Sequence, residues 1–219
     1  MYSSEITQAS NFVKGVDTTF LIILGISFFF LIFLTVLMLV FIYKYNRKRN
    51  PKGTNIRQHY GLEITWTAIP TILVLIMFWY GWQGYLETVN VPENAMPVTV
   101  TARMWQWSFE YEDGRQTDTL YVPVNQPVKL ILHSNDVNHS FFIPAFRVKK
   151  DVFPNRERVT WFTAEKIGEY NIACAEYCGL NHSYMYSKII VMSQEDFKNW
   201  KYGMSDKDKK LLEEMTKDN

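Results

Sequence analysis

The sequence predicts a two-helix membrane hairpin followed by an all-β sandwich or barrel and a short helical tail. Three features carry this reading: two long uncharged apolar runs early in the chain, a basic link between them, and short alternating runs punctuated by turns over Val98–Met192.

The bulk composition hides this division. With 219 residues, 47% of them apolar, the chain has material for one ordinary domain and something smaller. Its mean hydropathy is slightly negative, because the apolar residues are concentrated rather than spread. A formal net charge of +1 points to no class of partner, and nucleic acid is not expected as one.

The first run, Phe20–Tyr43, reads FLIILGISFFFLIFLTVLMLVFIY and carries no charge. As a helix it rises about 36 Å, enough to cross a hydrocarbon core of about 30 Å. The second, Ile64–Tyr85, is also uncharged, with Trp66, Trp79, Trp82 and Tyr85 near its ends, where interfacial anchors sit. Pro70 is expected to kink it or to mark its first turns. A cleaved signal peptide and a buried globular helix are the alternatives; the first is disfavoured by Glu5, Lys14 and Asp17 at the amino end and by the run's length.

Between the runs lie Lys44, Arg47, Lys48, Arg49, Lys52 and Arg57, with no acid before Glu63. Such a link stays on the cytoplasmic side, which puts both termini and everything after the second run outside, in a periplasm or the equivalent space of a mitochondrial inner membrane. The expected organisation is an outer segment over 1–19, spans over 20–43 and 64–86, the basic loop 44–63, an outer domain 87–192 and a helical tail 193–219.

In the outer domain, VTVTARMW, WSFEY, TLYVP, VKLILH, HSFFI, RVTWFTA, YNIAC and SKIIVM read as strands. Glu112–Arg115, EDGR, is a tight-turn signal. After Met192, Ser193 and Asp196 suit a capping box ahead of Phe197 and Trp200, and a charged, solvated tail follows.

The chemistry is concentrated in Ala173–Met185, ACAEYCGLNHSYM, which holds both cysteines of the chain, one of its four histidines and a methionine. Two cysteines in an oxidising space default to a disulfide. Adding His182, Met185 and an upstream His139 favours a soft metal site, with copper used for electron transfer ahead of zinc, which takes no methionine. Covalent haem lacks its Cys-x-x-Cys-His, and a cysteine nucleophile leaves the second thiol and the methionine without a role. One cysteine suffices for a single copper; the second allows two thiolates to bridge a pair.

These residues resemble subunit II of the haem-copper cytochrome c oxidases. The family's copper motif, Cys-x-Glu-x-Cys-Gly-x-x-His-x-x-Met, is met in full by CAEYCGLNHSYM; DVNHSF and KKDVFP are similar to two further segments, and the likeness covers nearly the whole chain. It implies a cupredoxin-like outer domain holding a binuclear copper centre, CuA. Cys174 and Cys178 would bridge, His139 and His182 would be terminal, Met185 would bind one copper and the Glu176 carbonyl the other. It implies as well that the Glu176 carboxylate reaches a magnesium or manganese ion shared with subunit I. Trp105, the first tryptophan of WQWSFEY, would take the electron in, and Glu63 would stand at the mouth of a proton pathway. The implied partners are cytochrome c, soluble or membrane-bound, the haem- and CuB-bearing subunit I, the other oxidase subunits and the lipid bilayer. The implied activity is electron entry for the reduction of oxygen to water coupled to proton pumping.

On residues alone, Trp105, Trp107, Phe109 and Tyr111 alternate and suit one packed strand face, with Trp107 and Phe109 the core candidates. Likewise Glu63 suits an interfacial acid answering its basic neighbours. The chain departs from the family at Ala102, Arg103 and Met104, where Gly-His-Gln is frequent, and at Asn155, where the loop has a glycine. Glu110, Glu112, Asp113 and Asp118 suggest an acidic docking patch, against Lys149, Lys150, Arg156 and Arg158 elsewhere in the domain. A membrane-anchored copper-delivery protein and the copper-free subunit II of a quinol oxidase are the competing readings.

Overall fold

A computed structural model describes residues 9–53 and 57–203. It divides into two compact units, Gly15–Glu87 and the described residues on either side of that stretch.

The first unit is made of helices α1, Val13–Lys44, and α2, Tyr60–Val89, both long and apolar enough to cross a membrane. Their large apolar side chains face outward all round, Phe29 and Ile64 among them, as suits a helix solvated by lipid rather than by a protein core. Each helix runs beyond its apolar run, since helical hydrogen bonding does not stop where the hydrocarbon does. Pro70 is internal to α2, not in its first turn, and Glu63 is in that first turn. The hydroxyls of Thr65, Thr67 and Thr71 donate to the carbonyls of Gly61, Glu63 and Thr67, so these side chains close their polar groups onto the helix itself.

The second unit is a sandwich of ten strands: β1 Met96–Arg103, β2 Gln106–Tyr111, β3 Gln116–Thr117, β4 Leu120–Pro123, β5 Pro127–Ser134, β6 His139–Ile143, β7 Val148–Val152, β8 Arg158–Thr163, β9 Gly168–Cys174 and β10 Tyr186–Met192. One sheet has the order β3-β2-β1-β5-β8 and the other β4-β10-β9-β6-β7. The pairs β1–β5 and β4–β10 are parallel, and the others are antiparallel. Alternation builds the core: Val98, Val100 and Ala102 from β1, Trp107 and Phe109 from β2 and Leu130 and Leu132 from β5 face Phe141, Ile172 and Ile189 of the other sheet. Phe141 sits edge-on to Trp107 at 5.2 Å between ring centroids.

The EDGR turn joins β2 to β3, with Gly114 at φ 80°, a conformation glycine adopts without the strain a β-carbon brings. Two strands were not expected. β3 is only two residues long, and β7, VKKDV, has adjacent lysines that obscure any apolar alternation while suiting an edge strand. Asn155, where the resemblance leads to expect a glycine, has φ 57°, a left-handed backbone that asparagine tolerates.

Two segments outside the strands seal the sandwich. At the amino end, Ser10 bridges to Ala164, its hydroxyl donates to Phe146 O at 2.9 Å, Thr163 N–H donates to Asn11 Oδ1 at 2.8 Å, and Phe12 meets Trp161 edge-on at 5.0 Å. At the other end, α3, Gln194–Tyr202, starts at Ser193, whose hydroxyl accepts from Asp196 N–H at 3.0 Å. Trp200 of α3 stacks on Tyr121 at 4.6 Å, and the Arg115 guanidinium donates to the Lys201 carbonyl at 2.6 Å. The expected charged tail, from Ser205 on, lies outside the described residues.

Because Phe12 is buried against the sandwich while Phe29 is exposed on α1, the two should respond oppositely to truncation. Phe12→Ala is expected to destabilise the β unit by about 3 kcal/mol, read as a lower unfolding midpoint by near-ultraviolet circular dichroism of the detergent-solubilised chain. Phe29→Ala should leave that midpoint where it is.

Candidate metal centre

The site forms where three connections meet at one end of the sandwich. Strands β6 and β9 pair so that Phe141 is opposite Cys174. His139, two residues before Phe141 on an antiparallel strand, is thereby carried just past the end of β9, beside the loop that leaves it. That loop runs from Ala175 to Met185 and is closed at its base by Cys174 N–H donating to Met185 O at 3.1 Å. A second clamp, Ala175 N–H to Ser140 O at 2.9 Å, ties it to β6. A single turn of 3-10 helix, His182–Tyr184, folds its far side back.

Within this frame the sulfur and nitrogen donors converge. Cys174 Sγ lies 3.8 Å from Cys178 Sγ and 3.8 Å from His139 Nδ1. Cys178 Sγ lies 3.5 Å from His182 Nδ1 and 3.8 Å from Met185 Sδ. The Glu176 carbonyl accepts from Cys174 Sγ at 3.2 Å, while its side chain is exposed. His139 and Met185 are fully buried and Cys178 nearly so. Both cysteines are free thiols, their sulfurs far beyond the 2.05 Å of a disulfide, so the disulfide reading does not describe this structure. Of the other two histidines, His133 pairs with Thr101 Oγ1 and His59 Nδ1 accepts from Leu62 N–H at the start of α2.

Burial, together with the charge and hydrogen bond of Cys174 next to it, pushes the Cys178 thiol up to about 12. Two thiolates this close cannot both hold negative charge unaided; a soft cation in place of their protons is what this donor set accommodates.

One residue that sequence reasoning missed organises the site. Asp136, three before His139, accepts from His139 Nε2 at 2.8 Å through Oδ1 and from Met104 N–H at 2.6 Å through Oδ2. Burial would raise its pKa, but the bonds from Met104, His139 and Val137 outweigh that and bring it down to about 2. An acid hydrogen-bonded to the outer nitrogen of a ligating histidine fixes ring orientation and raises ligand basicity. The cue, an acid at i−3 from the histidine in a turn-rich stretch, is too common to stand out in a sequence.

Trp105 is separated from its alternating neighbours. Trp107, Phe109 and Tyr111 are buried on β2, whereas Trp105 precedes the strand, half-buried, and its indole N–H donates to the Cys178 carbonyl at 3.3 Å. Gly179, beside the indole, has φ 119°, a backbone conformation that favours glycine, and a β-carbon there would meet the indole nitrogen in ordinary contact at 3.4 Å. Glu63 belongs to the helical unit, in the first turn of α2, where the helix dipole favours a carboxylate.

Family models match the cytochrome c oxidase subunit II transmembrane domain over residues 5–82 and its periplasmic domain over residues 115–194. The chain belongs to this family. Among subunit II relatives, that of Alkalihalophilus pseudofirmus is 33% identical, covering 84% of this chain and 57% of its own. That of Cereibacter sphaeroides is 29% identical, covering 77% and 69%, and a probable subunit 2 from Rickettsia bellii is 28% identical, covering 81% and 75%. The chain thus spans between 57% and 75% of the length of these relatives. A crystal structure of the periplasmic domain of subunit II from Bradyrhizobium japonicum is 32% identical over 51% of this chain and 94% of that one, with a TM-score of 0.49.

For this subunit II the Asp136 contact has a measurable consequence. Asp136→Asn is expected to weaken copper retention by about 10- to 100-fold, measured by competition with a chelator of known affinity, while the thermal midpoint of the β unit changes little.

Proposed function

We propose that this chain is the electron-entry subunit of a cytochrome c oxidase, taking electrons from cytochrome c and passing them to a haem in subunit I, where oxygen is reduced to water with proton pumping. The observation that carries the proposal is the convergence of His139, Cys174, Cys178, His182 and Met185 on one buried locus to which Trp105 is hydrogen-bonded. A binuclear CuA centre held there would supply a one-electron relay whose charge change is spread over two metals and two sulfurs. Cys174, Cys178, His139 and His182 would be its main donors, with Met185 and the Glu176 carbonyl as weaker ones.

The chain's own residues then divide the work. Trp105 offers a half-exposed ring one hydrogen bond from the backbone of a ligand, a short route in from the surface. Burial of His139, Cys178 and Met185 keeps water away and limits rearrangement when charge arrives. The exposed Glu176 side chain is free to reach a magnesium or manganese ion shared with subunit I. The basic link retains the loop between α1 and α2 on the cytoplasmic side, leaving the β unit and both termini outside. Glu63, at the cytoplasmic start of α2, receives protons bound for subunit I.

Donor burial also weighs against copper delivery, for which ligands must be exposed and exchangeable, and the complete donor set weighs against a copper-free quinol oxidase subunit.

Loaded with copper, the chain should bind two ions, show a near-infrared band and give the electron-spin signature of one electron shared by two nuclei; a single-copper blue spectrum would overturn the proposal. In the assembled oxidase, Trp105→Phe is expected to slow copper reduction by cytochrome c without loss of copper. Glu63→Ala should instead slow turnover while copper reduction stays fast; parallel loss of both rates would mean that Glu63 serves assembly.

A further inference from the structure

The carboxyl end of α1 closes in a small folded cap organised by Asn46. Lys48 N–H donates to Asn46 Oδ1 at 2.9 Å, Arg49 N–H and Asn50 N–H donate to the Asn46 carbonyl at 2.9 and 2.8 Å, and the Asn50 side-chain amide donates to Lys44 O. The turn carries Arg49 back over the helix, where its guanidinium carbon lies 3.4 Å from the centroid of the Tyr43 ring. Lys44, the last residue of α1, holds its ammonium 5.5 Å from the Tyr45 ring centroid.

Beside these two cations lies a groove of about 570 Å³, lined by Leu39, Val40, Tyr43, Lys44 and Arg49. Leu39 and Tyr43, like Val40 and Lys44, are four residues apart, so two neighbouring rows of the helix each lead from an aliphatic side chain to an aromatic or cationic one. At 1.5 Å per residue the polar end stands about 6 Å along the axis from the aliphatic floor. No acid lines the groove, and none occurs in the chain between Lys44 and Glu63. A guanidinium stacked on a ring keeps its N–H edge turned outward, which suits two oxygens of one phosphate.

We propose that this groove binds one anionic phospholipid, with its phosphate held by Lys44 and Arg49 and an acyl chain along Leu39 and Val40. The site joins a cationic end to an apolar floor, as the ligand joins an anionic headgroup to a hydrocarbon chain. Inorganic phosphate gains nothing from the floor, and a zwitterionic lipid brings a cation of its own to the cationic end. In the orientation proposed above the groove opens to the cytoplasmic leaflet, whose anionic lipids attract basic segments. No residue of the β unit takes part, so the site stands or falls apart from the electron-entry reading.

The test titrates the full chain in detergent with phosphatidylglycerol, phosphatidylcholine or inorganic phosphate and reads the bound molecules by native mass spectrometry. One phosphatidylglycerol should bind at least fivefold more tightly than phosphatidylcholine, and a tenfold excess of inorganic phosphate should not displace it. Lys44→Gln and Arg49→Gln should each weaken that binding by about fivefold, the worth of one cation at an anionic surface. Lys52→Gln, which removes the same charge from the same link outside the groove, should weaken it less than twofold. Arg49→Lys, which keeps the charge and loses the flat stack, should fall between Arg49→Gln and the parent. In the assembled oxidase, the Lys44→Gln/Arg49→Gln double variant should carry one phosphatidylglycerol fewer than the parent. Equal losses at positions 44, 49 and 52 would mean diffuse attraction to a basic link and overturn the proposal. So would displacement by inorganic phosphate, equal binding of the two lipids, or an unchanged lipid count in the assembled double variant.

Discussion

The pairing of Phe141 with Cys174 is the constraint on which the site depends. Strand register is set by which face is buried, and a slip of one residue turns every side chain of a strand over. Phe141 packs against Trp107 and Phe109 in the core, so β6 has one acceptable register against β9. His139, two residues along and on the same buried face, is placed by that packing. The donor on β6 and the donors that follow β9 are aligned by this core packing, in which Trp107 also meets His139 edge-on at 6.1 Å between ring centroids.

Loop closure supplies the second constraint. A stretch as long as Ala175–Met185 is free to wander unless its base is fixed, and the cost of ordering it falls on every residue it contains. The Cys174–Met185 backbone bond fixes the base, the bond from Ala175 to Ser140 fixes the side facing β6, and the 3-10 turn shortens the path between Cys178 and Met185. Asp136 extends the same frame outward, since one carboxylate holds both His139 and the amide preceding Trp105. The metal locus and the surface tryptophan are thus braced by the same two contacts, Asp136 and the Cys178 carbonyl. Motion of one cannot be independent of the other.

Much of this was legible in the sequence, and the parts that were not share a cause. The apolar runs, the alternating strands and the spacing of Cys174, Cys178, His182 and Met185 are local patterns with a physical period. Asp136 gains its role only when the 104 and 136 loops are brought together across 32 residues, and the charged strand β7 forms only because β6 offers it an edge. The seal made by Ser10, Asn11 and Phe12 depends in the same way on β8, some 150 residues on. Trp105 is the instructive case: its alternation with Trp107 and Phe109 matched a core face, and only the position of the strand's start separates it from them.

Burial weighs between the chemistries that this donor set permits. A protein that hands a metal on needs ligands that can be displaced one at a time by a partner's ligands, which requires access from solvent. Here His139 and Met185 have no exposed surface and Cys178 almost none, while Cys174 and His182 are half-buried, so a competing ligand reaches only part of the donor set from solvent. An electron has no such requirement. It needs a short bonded or hydrogen-bonded route and a site that changes little when occupied; under the proposed function Trp105 on the Cys178 carbonyl would provide the first and the packed frame the second. The same rigidity that makes the site poor at exchanging a metal makes it suited to passing charge.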